Sequence, residues 1–155
     1  MKTLIYKDLR IVISENVLEI FSQHKQILPF SKERGGIVLG QISSDTIYIN
    51  RASTPNKFDI SSRYRFEREK EAAQIVVDYE FINSNRKIIY LGEWHTHPEK
   101  TPKPSSQDKK MIVDQNKYNT LNEPFLLLII QGIEDLYVGY YDGENLVQCL
   151  EASSP

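Results

Sequence analysis

Residues 92–108 read GEWHTHPEKTPKPSSQD: two histidines one residue apart, a proline-rich connection, and a serine that opens a helical pattern. If Arg86 to His97 is a strand, its i and i+2 side chains share one face, so the imidazoles of His95 and His97 can converge on one ion. Pro98, Pro102 and Pro104 each lack a backbone donor, which keeps the next segment irregular. Ser105 then caps a helix, with Asp108 three residues later in a capping-box-like Ser-x-x-Asp. That spacing sets Asp108 in the first helical turn, folded back over the end of the strand. Two imidazoles and a carboxylate suit one zinc ion, and three protein ligands leave a position for water, as in catalytic zinc sites. Ligand type alone also admits iron or manganese.

Outward from this stretch, the apolar run Ile88-Ile89-Tyr90-Leu91 reads as a strand covered on both faces. Before it, a helix is expected from about Arg65 to Ser84, with Ala72, Ile75, Val76, Tyr79 and Ile82 as its core stripe. Thr54 to about Tyr64 is polar and aperiodic, and reads as a loop. Arg34–Ile42 and Asp45–Ser53 read as strands joined by a short polar link, hence an antiparallel hairpin. The glycines Gly35 and Gly36 open the first of them and permit close backbone approach. Leu9–Ser14 suits a strand, and Ser14 an N-cap for a helix to about Gln26. His24, near the end of that helix, reads as structural or solvated. Past the proline loop, a helix to Tyr118 precedes strands near Pro124–Gln131, Asp135–Tyr141 and Asn145–Leu150. The order β-α-β-β-α-β-α-β-β-β implies an α/β fold with a mixed sheet and helices packed on it.

The chain has 155 residues, 40% hydrophobic and 26% charged, which suits one soluble domain, residues 1–155. A formal charge of −2 gives no global basic field for generic nucleic-acid binding. No apolar run is long enough to span a membrane. Absence of a secretory h-region, together with a single cysteine, Cys149, that has no internal partner, points to the cytoplasm. Cys149 itself reads as a packing residue.

A hydrolytic zinc site needs a water activated near neutral pH, and bound zinc lowers the pKa of water to about 7. A carboxylate must take the water's proton and pass it to the leaving group. Glu33, Glu67, Glu93 and Glu99 are all candidates on spacing. Glu93 shares a strand face with His95 and could instead support that ligand from behind.

The pattern His95-Thr96-His97-Pro98, Pro104-Ser105 and Asp108 resembles the JAMM signature of the JAB/MPN metallopeptidases. Thr96 stands where serine is commoner in that family. Upstream, Glu33-Arg34-Gly35-Gly36-Ile37-Val38-Leu39-Gly40 resembles the family's glutamate before a glycine-rich strand. The resemblance spans about Arg10 to Gln131. It implies a mixed, curved sheet of the cytidine-deaminase-like type. It further implies Zn2+ held by His95, His97 and Asp108, with Glu33 as general acid/base and Ser105 as hydroxyl donor to the tetrahedral oxyanion. Such a donor is worth about 2.7–4 kcal/mol in other hydrolases. Ser105 as a plain helix cap is the alternative.

Phe58-Asp59, then Ser62-Arg63-Tyr64-Arg65-Phe66-Glu67-Arg68, with GEWHTHP, resemble the small JAB peptidases of bacterial CBASS antiphage operons. That resemblance implies a protein substrate, either ubiquitin-like or C-terminally conjugated, with E1/E2-like operon partners. The implied role is release of a cGAS-like nucleotidyltransferase from its conjugates. Arg63, Arg65 and Arg68 could contact substrate or nucleic acid, or belong to a solvated loop and helix start. Other readings are a sulfur-carrier or ubiquitin-like protein-processing hydrolase, a RadC-like DNA-associated protein and a non-catalytic MPN scaffold. A zinc deaminase is excluded by the missing Pro-Cys-x-x-Cys element.

Overall fold

The computed structural model describes residues 1–119, 121 and 123–152. Its largest sheet runs β10-β9-β8-β7-β3-β4-β2-β1-β11. In chain order the strands are β1 (Lys2–Tyr6), β2 (Leu9–Ile13), β3 (Gly35–Ser43), β4 (Thr46–Ala52), β5 (Ile60–Ser62), β6 (Arg65–Glu67), β7 (Ile89–Thr96), β8 (Leu126–Gln131), β9 (Leu136–Tyr141), β10 (Leu146–Gln148) and β11 (Leu150–Glu151). The helices are α1 (Glu15–Gln23), α2 (Lys70–Asn83) and α3 (Ser106–Tyr118). The β2–β4 and β7–β8 pairs are parallel and the remaining pairs antiparallel, so the sheet is mixed as expected.

Curvature follows from the last two strands. Gln148 pairs with Gly139 at one edge of the sheet, while Leu150 pairs with Ile5 at the other. Residues two apart span at most about 7 Å, so the two edges must meet. Tyr6 and Tyr140 stack with ring centroids 4.0 Å apart in the same part of the core. Cys149 is buried between the two strands, and its N–H donates to the Val138 carbonyl.

Alternation along the central strands divides the core. On β8, Leu127 and Ile129 join Val17 and Phe21 of α1, whereas Leu126, Leu128 and Ile130 meet Ile112 of α3. On β3, Val38 faces the α1 side, and Ile37 and Leu39 pack with Ala73, Val76 and Val77 of α2. Each such side chain contributes about 1.5–3 kcal/mol on full burial.

The structure corrects the sequence reading at four places. Lys2–Tyr6 is a strand that the short N-terminal pattern did not announce. Residues 60–67, expected as loop and helix start, form the β5–β6 hairpin, with Ser62 opposite Arg65. Helix α2 therefore starts at Lys70, where the Glu69 side chain accepts the Ala72 N–H as N-cap. Its expected core stripe is also rotated: Ile75, Tyr79 and Ile82 are exposed, while Val76 packs on the sheet as expected, joined by Ala73 and Val77. Two apolar stripes coexist on this helix, and small Ala73 permits the closer approach to β3. At α1, Ser14 holds the N-cap position, but its hydroxyl bonds to Asn16 and makes no capping bond.

Candidate metal centre

Strands β3 and β7 are antiparallel with Gly35 opposite His95. Continuing that register by two residues sets Glu33 across from His97. A Cβ on Gly35 would lie 2.3 Å from the Trp94 carbonyl oxygen, so this approach requires glycine. His95 and His97 project together from the end of β7. The proline loop docks on the β8–β9 turn, where the Ile133 and Asp135 N–H groups donate to the Glu99 and Lys100 carbonyls. That docking delivers the α3 N-terminus, and Asp108 with it, to the end of β7. Ser105 and Asp108 form the expected capping box: Ser105 Oγ accepts the Asp108 N–H, and Asp108 accepts the Ser105 N–H.

The side chains of His95, His97 and Asp108 meet within hydrogen-bond distance. His95 Nε2 lies 3.0 Å from Asp108 Oδ1, and His97 Nε2 lies 3.1 Å from Asp108 Oδ2. The two Nε2 atoms are 3.2 Å apart. One ligand atom from each of the three side chains lies within 4.8 Å of the others, close enough for them to converge on one ion. Among the described residues these three side chains could hold a metal ion. Glu99 Oε1 lies 2.7 Å from His97 Nδ1 and favours the tautomer in which Nδ1–H donates to it and Nε2 is left to ligate. Burial opposes ionisation of Asp108, but hydrogen bonds from His95 and His97 outweigh it and hold the carboxyl well below its usual range. For His97, burial works against the charged form, yet bonding to Asp108 and Glu99 raises its pKa overall.

Of the four candidate bases, Glu33 is brought to the centre. Its Oε1 is 3.7 Å from His97 Nε2, and the side chain is buried. Burial lifts its pKa to about 7, with His97 pulling down and Asp108 and Glu99 pushing up. Glu93 is committed elsewhere: its carboxylate accepts from Arg68 Nε at 2.5 Å and from the Tyr90 hydroxyl. Glu67 is exposed and pairs with Arg65. Glu99 sits on the side of the His97 ring away from the ligand cluster. A groove of about 660 Å³ runs past Glu33, His95 and Asp108, bounded by Ile60 and Phe66 of the hairpin and Met111 of α3.

The arginines separate by role. Arg68 is the half-buried partner of the buried Glu93. Arg63 donates to the Leu28 and Pro29 carbonyls and ties the hairpin to the loop before Glu33. Arg65 stays at the surface with Glu67. His24 is structural, its Nδ1 2.8 Å from the Ile20 carbonyl. The sequence reading did not foresee Gln26, a buried amide that reaches the residue between the two histidines. Its one available signal was a polar residue at the end of an apolar helical stripe.

Residues 14–138 match the family described as prokaryotic homologs of the JAB domain. The chain belongs to this family. This JAB-domain chain is 35% identical over 132 residues to an Escherichia coli (strain TW11681) protein named CD-NTase/cGAS isopeptidase, covering 85% of the chain and 82% of the relative. A Vibrio cholerae protein of the same name is 30% identical over 137 residues, with 88% and 85% covered. The fold is also similar to a solution structure of protein DSY2949 from Desulfitobacterium hafniense, with TM-score 0.61, 19% identity, and 89% and 88% coverage. None of the helices among the described residues is long and apolar enough to cross a membrane.

Proposed function

We propose that this JAB-domain protein is a zinc-dependent isopeptidase that cleaves the amide bond after the C-terminal tail of a conjugated protein. In this reading the tail belongs to a CD-NTase or a ubiquitin-like protein, and hydrolysis reverses the conjugation that E1/E2-like partners perform. The relatives' shared name supports the substrate class. The observation that carries the reaction is the buried Glu33 carboxylate beside the three-atom ligand set of His95, His97 and Asp108. When bound there, a zinc ion would supply Lewis acidity and lower the pKa of water.

The chain's own groups supply the rest. Glu33 accepts the proton of the attacking water and delivers it to the leaving amine, and its burial beside Asp108 and Glu99 favours holding that proton in between. Glu99 holds the His97 tautomer. Ser105 uses only its oxygen lone pair in the capping box, so its hydroxyl proton remains to donate to the oxyanion. The groove beside the β5–β6 hairpin suits an extended tail, with the hairpin edge offering main-chain hydrogen bonds.

The reading is tested with a CD-NTase joined through its C-terminal carboxyl to a lysine side chain of a second protein. Zinc-loaded enzyme should release the free C-terminus, chelation should stop release, and zinc should restore it. Undiminished release after complete metal removal would sink the proposal.

A further inference from the structure

The segment that carries Glu33 is held by a small buried network that makes no contact with the ligand atoms. Thr96, between the two histidines and fully buried, accepts the Arg34 N–H at 3.0 Å and donates to Gln26 Oε1 at 2.8 Å. Its own N–H donates to the Arg34 carbonyl. Gln26, 1% exposed, donates from Nε2 to the Ser31 carbonyl at 3.1 Å and the Arg63 carbonyl at 2.9 Å. The amide orientation is fixed by its partners, because the flipped amide would set its oxygen against two carbonyl oxygens. One side chain thus ties together the end of β7, the chain on the N-terminal side of Glu33, and the turn between β5 and β6. Around Glu33 itself, the N–H donates to the Ser62 carbonyl and the carbonyl accepts from the Ser61 hydroxyl.

We infer that Gln26 and Thr96 are positioning residues that set the Glu33 carboxylate against the metal ligands and lock it in register with the hairpin. The inference rests on the peptidase reading above, in which Glu33 transfers the proton. Two features separate it from general core packing. Every donor and acceptor of the Gln26 amide is used, and an apolar residue could fill the same volume without spanning three chain segments. The Thr96 hydroxyl also bonds to the residue next to Glu33, so its removal acts on the base rather than on the imidazoles. A misplacement of about 1 Å in a reacting group can cost about a hundredfold in rate.

The test compares Thr96→Val, Thr96→Ser and Gln26→Met with wild type, using an amide-linked tail substrate and zinc titration. Amide hydrogen exchange across residues 31–34 is measured in metal-free protein. Thr96→Val keeps the side-chain shape and lacks the hydroxyl; it should lower kcat about 10- to 100-fold. KM and zinc affinity should stay within about twofold, and the Arg34 amide should exchange faster. Thr96→Ser, which restores the hydroxyl, should recover kcat, and Gln26→Met should behave like Thr96→Val. Unchanged kcat in folded Thr96→Val and Gln26→Met overturns the inference. So does joint loss of kcat, KM and zinc binding, or failure of both variants to fold, since either makes the network a general support. Glu33→Ala is run alongside. If it is fully active the peptidase mechanism itself fails, whereas an inactive Glu33→Ala beside a fully active Thr96→Val defeats only the positioning role.

Discussion

At the scale of single residues, what each carboxylate does is decided by what it touches. Glu93 is buried and pairs with the half-buried Arg68, their side-chain exposures being 5% and 16%. Removing one partner of such a pair strands the other's charge and typically costs about 3–5 kcal/mol. Glu93→Ala should therefore lower stability by about that amount in denaturant unfolding. Arg65→Ala, taken from an exposed pair, should change it by less than about 1 kcal/mol. Ser105 has two separable jobs. Ser105→Asp keeps a capping oxygen and removes the hydroxyl donor, so it should retain stability while kcat falls about 10²- to 10³-fold. Ser105→Ala should lose the rate and about 1 kcal/mol of stability besides. Equal activity in Ser105→Asp and wild type would leave the serine as a cap only.

At the scale of elements, the centre is the meeting of a strand end, a helix start and a strand-opening glutamate, and its protonation links metal to pH. The His97 pKa is raised in the metal-free protein, so a proton competes with the metal at higher pH than at an ordinary imidazole of about 6.5. Zinc affinity should accordingly weaken as pH falls through that range, measured by competition with a chromophoric chelator. The raised His97 value gives the metal-free protein stability that is full below the unfolded-state pKa and fades as pH rises through the folded one. The gain in melting temperature on adding zinc should thus be larger at pH 8 than at pH 6. A gain independent of pH would contradict the ligand role of His97. Helix α2 shows what periodicity leaves open. Ile75, Tyr79 and Ile82 have the spacing of a buried stripe, but so do Ala73 with Val76 and Val77, and only the packing against β3 selects between them. Ile82→Ser, at a 73% exposed position, should shift stability by no more than about 0.5 kcal/mol. Ile112→Ala, from a fully buried α3 position, should cost about 2–5 kcal/mol.

At the scale of the whole molecule, the sequence was legible where patterns are local. The His95–His97–Asp108 cluster that could hold a metal, the α3 capping box and the β3–β4 hairpin are local, each written within some 20 residues. Glu33 is distant in sequence, and bare spacing left it level with Glu67, Glu93 and Glu99. Family resemblance singled it out, and the β3–β7 register places it beside His97. Closure of the sheet was not legible, because it rests on β11 pairing with β1 across nearly the full chain length. The hairpin was hidden for another reason: its strands are three residues each with no buried position, too short for alternation to mark them. The reading of Cys149 as a packing residue agrees with its burial in the seam, which pushes its thiol up to about 12.

The account turns on the carboxylate of Glu33, and Glu33→Gln tests it most directly. The substitution preserves size and hydrogen bonding while removing the group that carries the proton. Zinc stoichiometry and turnover of an amide-linked tail substrate should be measured on the same sample. The account predicts one zinc bound as in wild type with turnover lost. A Glu33→Gln protein that binds zinc and turns over at the wild-type rate would contradict it.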